Sequence, residues 1–186
     1  MALSKAVFLD RDGVINPDIG YPHQTVDAIP FPDVASALRR LQAAGYQLTV
    51  VSNQSGIARG YYTLEQAEAF NGTLAEHLRN GGVAIDHRHF FLCPHHPNDR
   101  CGCRKPKPGL ILRAAQELNL SLPESFIVGD AETDIQAGHA AGLTTIRLNR
   151  SATAVVSEAT SVLRNLHDVA DWVLRSRAHA SAFTGS

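Results

Sequence analysis

Two aspartates one residue apart, Asp10 and Asp12, follow the apolar run Lys5 to Leu9, and a third, Asp130, follows Ser125 to Gly129. Carboxylates gathered in this way suit a hard, oxygen-seeking cation, Mg²⁺ before others, which makes Asp10, Asp12 and Asp130 the candidate magnesium set. Any one of these aspartates could equally serve a turn or a helix cap, so the expectation rests on the set. A second group is softer. Cys93, His95, Cys101 and Cys103 form CxHx5CxC, four donors of the type and number that close a tetrahedral zinc site. His96 is an alternative to His95, and buried thiols beside surface histidines are also met without a metal. A zinc with all four positions filled would be structural and would hold the loop it sits in. The cations are placed unevenly too: the only lysines are Lys5, Lys105 and Lys107, two of them within Arg104 to Gly109. Such a run is ordinarily solvated; here the interleaved prolines stiffen it.

Strands and helices must bring these residues together. Lys5 to Leu9 and Gln47 to Val51 are short unbroken apolar runs of the kind that make buried strands, the second ending at Ser52 and Asn53. Between them, Val34, Leu38 and Leu41 have helical spacing, with Asp33 as the expected N-cap and Gly45 as the stop. Thr63 and Gln66 have capping-box spacing at the head of a helix running to about Asn80. A strand over 89–92 precedes a proline- and glycine-punctuated loop over 93–109. Loops of that length in a compact domain are usually functional. A helix over 110–119, a strand over 125–129, a helix over 133–141 and a strand over 144–148 follow, and 161–175 adds a last strand and helix. Strands alternating with helices give an α/β fold, a three-layer α/β/α Rossmann-like parallel sheet. In such sheets ligands bind beyond the C-terminal strand ends, so Asp10, Asp12, Ser52 and Asp130 should converge there.

Length and composition narrow the classes. The 186 residues suit one domain over 1–175, with a flexible tail over 176–186. Lys+Arg 17 against Asp+Glu 18 gives a net charge of -1, which supplies no broad basic face for nucleic acid or an anionic membrane. Neither a secretory leader nor an apolar run long enough for a membrane span is present, so the expected location is the cytoplasm and the expected state a monomer.

The motifs Asp10-Arg11-Asp12-Gly13-Val14-Ile15, Ser52-Asn53-Gln54, Lys105 and Gly129-Asp130 with Asp134 resemble, in order, the four motifs of the haloacid dehalogenase superfamily of phosphohydrolases. The resemblance spans residues 5 to 148. It implies Asp10 as a nucleophile that forms an aspartyl phosphate and Asp12 as general acid and then base, with the Asp12 backbone carbonyl toward the metal. It further implies Ser52 and Lys105 as stabilisers of the phosphoryl group. Asp134 is open between orienting the lysine or a metal water and capping the next helix. The spacing leaves no room for a large cap domain.

Within the superfamily, Gly56-Ile57-Ala58-Arg59-Gly60-Tyr61, Cys93-Pro94-His95, Arg104-Lys105-Pro106 and Asn16-Pro17-Asp18-Ile19-Gly20-Tyr21 resemble the D-glycero-D-manno-heptose 1,7-bisphosphate 7-phosphatases. That family implies a small phosphorylated sugar as substrate, contacted by Asp18, Ile19, Gly20, Tyr21, Asn53, Gln54, Ser55 and Arg104. Arg59 stands equally as a contact or a surface residue. Histidinol-phosphate phosphatases, which share the zinc loop, are the alternative. A non-catalytic interaction module on the same fold is the alternative of another class.

Overall fold

The computed structural model describes residues 3–182. The strands are β1 (Ala6–Leu9), β2 (Gln47–Asn53), β3 (Phe90–Cys93), β4 (Phe126–Gly129), β5 (Thr144–Leu148) and β6 (Ser161–Leu163). The helices are α1 (Val34–Ala43), α2 (Leu64–Asn80), α3 (Gly109–Glu117), α4 (Glu132–Ala140) and α5 (Leu166–Ala182). All six strands are parallel in one sheet, in the order β3-β2-β1-β4-β5-β6. This is the expected α/β/α architecture, with no inserted cap among the described residues.

Alternation along the strands builds two cores. Val7 and Leu9 of β1 face one side with Val34 and Leu38 of α1, Phe70 and Leu74 of α2, and Val169 and Val173 of α5. Ala6 and Phe8 face the other with Leu110 and Ile111 of α3 and Ala137 of α4. Each side chain of β1 is fully buried, which is why the run reads as continuous apolar and not as alternating. Truncating Phe8 to alanine would cost about 3–5 kcal/mol, the usual price of an aromatic removed from a close-packed centre.

Register sets the site. Leu9 is paired with Val50 on one side and Val128 on the other, so Asp10 and Asp130, just past their strands, and Ser52, near the end of β2, come together at the C-terminal edge of the sheet. The Asp10 N–H still donates to Val128 O at 2.9 Å, extending the ladder by one residue under the nucleophile candidate.

Several local expectations change. The Thr63–Gln66 capping box forms in both directions. Asp33, expected to cap α1, makes no such bond. Its carboxylate instead accepts from the Leu166 N–H at 2.7 Å and from the Arg150 guanidinium, tying the start of α1 to the start of α5. An acid can cap either neighbour, and only the packing of α1 on α5 decides which. β3 begins and ends one residue later than its apolar run suggests. Helix α5 continues through Ala182, past 176 where a tail was expected to begin, and the remaining tail residues lie outside the described ones. No helix among the described residues is long and apolar enough to cross a membrane.

Candidate active site

A cavity of about 330 Å³ opens beyond the strand ends, lined by Asp10, Asp12, Ser52, Lys105, Asp130 and Asp134 at its floor and by Asp18, Gly20, Tyr21, Asn53 and Gln54 at its walls. A larger cavity of about 590 Å³ lies across β3 between α2 and α3. It holds none of the sequence-predicted site residues, so chemistry and not size locates the site.

Lys105 is the centre of the floor. Its side chain is buried, and Nζ lies 2.9 Å from Asp10 Oδ1, 2.6 Å from Asp134 Oδ1 and 2.7 Å from the Val51 carbonyl. Burial opposes the ammonium form, yet the adjacent Asp10 and Asp134 outweigh it and hold the lysine protonated. Asp10 is pushed up to about 7, by burial first, against the pull of Lys105 and with Asp134 and Asp12 adding to the rise. Asp130 is pushed up to about 6 by burial and then by Asp134. Two carboxyls raised together in one cavity mark a site short of positive charge.

That shortage fits a cation. Oxygens of Asp10, Asp130 and Asp134 lie within 4.8 Å of one another. Two glycines permit the crowding: a Cβ on Gly13 (φ +80°) would come within 2.1 Å of the Asp130 carboxylate, and one on Gly129 within 2.1 Å of the Asp134 Cβ. The Asp12 side chain is not in this set. Both readings of Asp134 hold at once, since Oδ2 accepts from the Ala131 N–H at 3.0 Å at the head of α4 while Oδ1 holds Lys105.

Ser52 and Gln54 are linked. Gln54 Nε2 donates to Ser52 Oγ at 2.7 Å and to Asp12 Oδ2 at 3.0 Å. The Asn53 amide is spent on Lys105, donating to its carbonyl and accepting from its N–H, each at 3.1 Å. Ile19 does not line the cavity; its side chain is 60% exposed on the rim loop. Ser55 is buried behind the wall, where the chain folds back at Arg59, and does not line it either. Arg104 lines an adjoining cavity of about 340 Å³ that shares Asn53, Lys105 and Thr133 with the first. Tyr62 and Thr133 line the site without having been expected there. Thr133 had a legible signal, its place in the first turn of the helix after Asp130; Tyr62 had none. Arg11, between the two aspartates, is wholly buried, and such a charge at a strand tip is itself a signal.

The sulfur cluster stands apart from the floor. Cys93 Sγ is 3.6 Å from Cys101 Sγ and 3.1 Å from Cys103 Sγ, and Cys101 to Cys103 is 3.6 Å. A tetrahedral site with Zn–S of about 2.3 Å has edges of about 3.7 Å, so the four donors are near the required spacing. His95 Nδ1 lies 3.5 Å from Cys93 Sγ and 3.3 Å from Cys103 Sγ. His96 faces its own turn and accepts from the Asn98 N–H, and the histidine whose ring nitrogen lies among the cysteine sulfurs is His95. Lys107 is exposed, as a solvated charge would be, and also donates to the carbonyls of Arg100 and Cys101, closing the loop around the cysteines.

An acid-tipped parallel sheet with a buried lysine between two of its carboxylates is the arrangement of the haloacid dehalogenase-like phosphohydrolases. The HAD-hydrolase-like family model matches residues 102–174. The chain is 42% identical to the D-glycero-beta-D-manno-heptose-1,7-bisphosphate 7-phosphatase of Yersinia pestis, over 93% of this chain and 91% of that one. It is 41% identical to the enzyme of the same name from Escherichia coli (strain K12), over 93% and 90%. Among solved structures, the D,D-heptose 1,7-bisphosphate phosphatase from B. bronchiseptica, complexed with magnesium and phosphate, superposes with a TM-score of 0.81 at 32% identity, covering 92% of this chain and 99% of that one. The chain belongs to the heptose bisphosphate phosphatase family of haloacid dehalogenase-like hydrolases.

Proposed function

We propose that this phosphatase removes the 7-phosphate of D-glycero-D-manno-heptose 1,7-bisphosphate through a phosphoryl group carried on Asp10. The observation that carries the mechanism is the Asp10–Lys105–Asp134 arrangement. It places a carboxylate at the strand tip with a fixed positive charge 2.9 Å away, in a cavity open to a phosphomonoester.

Asp10 attacks phosphorus, forming the aspartyl O–P bond as the ester P–O bond breaks, and Asp12 gives its proton to the departing sugar oxygen. Water then attacks the same phosphorus, Asp12 takes a proton from it, and the Asp10–phosphorus bond breaks to release phosphate. Ser52 donates to a phosphoryl oxygen. Lys105 offsets the negative charge that accumulates as one anion attacks another. Asp10, Asp130 and the Asp12 carbonyl would hold Mg²⁺, which supplies further neutralisation of the phosphoryl oxygens. Cys93, His95, Cys101 and Cys103 would hold a structural Zn²⁺.

For the sugar, support comes from the relatives' names and from the rim. Arg104 reaches the adjoining basic cavity, where a guanidinium can grip a second phosphate bidentately. Asp18, Gly20 and Tyr21 line the opposite wall. The relatives' names specify the β anomer, which supports it as the preferred form here. The test is a comparison of kcat/KM for the α and β heptose bisphosphates and histidinol phosphate with Mg²⁺ present. The highest value is expected for the β heptose bisphosphate, with phosphate leaving C7. Preference for histidinol phosphate would overturn the substrate assignment.

A further inference from the structure

The mechanism above gives Arg11 no task, although this guanidinium is fully buried, a state that charged side chains almost never reach unless paired. Nε donates to Asp12 Oδ1 at 2.9 Å and Nη2 to Asp12 Oδ2 at 3.0 Å, a two-pronged fork on one carboxylate. Nη1 donates to Asn71 Oδ1, the second Nη2 hydrogen is shared between the Pro22 carbonyl and Gln54 Oε1, each contact at 3.0 Å, and the group lies 4.3 Å from the Phe70 ring centre. α2, the rim loop and the end of β2 therefore all fix its plane.

Asp12 also accepts from Asn16 Nδ2 and Gln54 Nε2, each at 3.0 Å. Four donors thus meet a group with about four acceptor positions, so the proton that Asp12 transfers takes the place of one single bond, from Asn16 or Gln54, while the Arg11 fork stays in place. The Gln54 amide cannot turn over, because its Oε1 is already claimed by Arg11 and by the Tyr62 hydroxyl at 2.6 Å. We infer that Arg11 is a positioning residue, which through its fork and through Gln54 sets the orientation of the Asp12 carboxylate at the cavity wall for proton transfer to the leaving oxygen. The inference rests on the reading of Asp12 as general acid and base. A lysine could supply the charge at this position but not the planar fork.

The test uses the full chain with Mg²⁺ and two substrates that differ in their need for a proton: a sugar phosphate with an alkoxide leaving group, and p-nitrophenyl phosphate, whose leaving group departs without one. For Arg11→Lys, kcat on the sugar phosphate should fall about 10²-fold, the cost of a misplaced acid, while KM changes by less than about threefold. The first-turnover release of nitrophenolate should stay within about threefold of the parent, because that step uses no acid. Equal loss on both substrates, or loss in KM alone, would overturn the inference. Should Arg11→Lys not fold, Asn71→Leu decides in its place: it removes the acceptor by which α2 fixes the guanidinium, at similar volume, and should give the same pattern at about tenfold. Asp12→Asn is run in parallel. If it retains sugar phosphate turnover, the acid–base reading itself fails; if it is inactive while Arg11→Lys turns over like the parent, only the positioning role fails.

Discussion

The carboxylate floor and the sulfur loop are both clusters of metal-binding groups, yet they are held in opposite ways. Asp10 and Asp130 sit one residue beyond strand ends and Ser52 within β2 opposite Leu92, and Lys105 is locked by two carboxylates and a carbonyl. The sheet places them whatever ion is present. Of the four sulfur and nitrogen donors, Cys93 ends β3 opposite Asn53, while His95, Cys101 and Cys103 lie in a loop whose regular structure is one short turn, Pro97–Asp99, and are gathered by one another, by Cys93 and by Lys107. The comparison teaches that the floor rests on a rigid support, while the loop has little regular structure of its own to hold its donors. Adjacency joins the two, because Cys103 is two residues from Lys105.

The largest effect should separate chemistry from folding. Asp10→Asn is expected to lower kcat by at least about 10⁴-fold, the scale of losing a nucleophile. In Mg²⁺-free solution at pH 8 its Tm should match or exceed that of the parent, since it removes a carboxylate that burial and neighbouring acids disfavour. A large fall in Tm would assign Asp10 to the framework instead. Lys105→Met should lose activity on a similar scale and, unlike Asp10→Asn, also lose about 3–5 kcal/mol in denaturant unfolding, because it leaves Asp10 and Asp134 facing each other without a cation.

Zinc removal sharpens the contrast from the other side. Chelation, or Cys103→Ser, should reduce kcat/KM by about 10–100-fold and increase hydrogen exchange over 93–108, leaving the β1, β2 and β4 amides protected. Unchanged exchange in the loop would show that it needs no ion.

The smallest effect is a pH dependence of the floor alone. Asp10 and Asp130 have raised values of about 7 and about 6, so each contributes stability that is full below the ordinary carboxylate value of 3.8 and is lost as pH rises through the raised one. A cation takes the place of those protons. The rise in Tm on adding Mg²⁺ should therefore be greater at pH 8 than at pH 5, and an equal rise at both would contradict the carboxylate site. The sulfur loop should show no such Mg²⁺ response.

The sequence disclosed these two regions unequally. The strand-tip aspartates and the alternation of strands and helices were legible because a buried strand writes its burial as a continuous apolar run and its end as a polar break. The four sulfur and nitrogen donors were legible because their ligand types are rare and close together. What was not legible depends on packing between distant segments. Asp33 ties α5 rather than capping α1, Asn53 serves the Lys105 backbone rather than facing the cavity with a free amide, and Ile19 is exposed without lining it. Tyr62 enters the site only because its hydroxyl meets Gln54, a contact no spacing announces.

Borohydride trapping during turnover of the β heptose bisphosphate, followed by peptide mapping, tests the central claim most directly, because reduction converts a phosphorylated aspartate into homoserine. The account predicts that modification at position 10, dependent on Mg²⁺ and on substrate. Turnover with no modification there, or with modification at another residue, would contradict it.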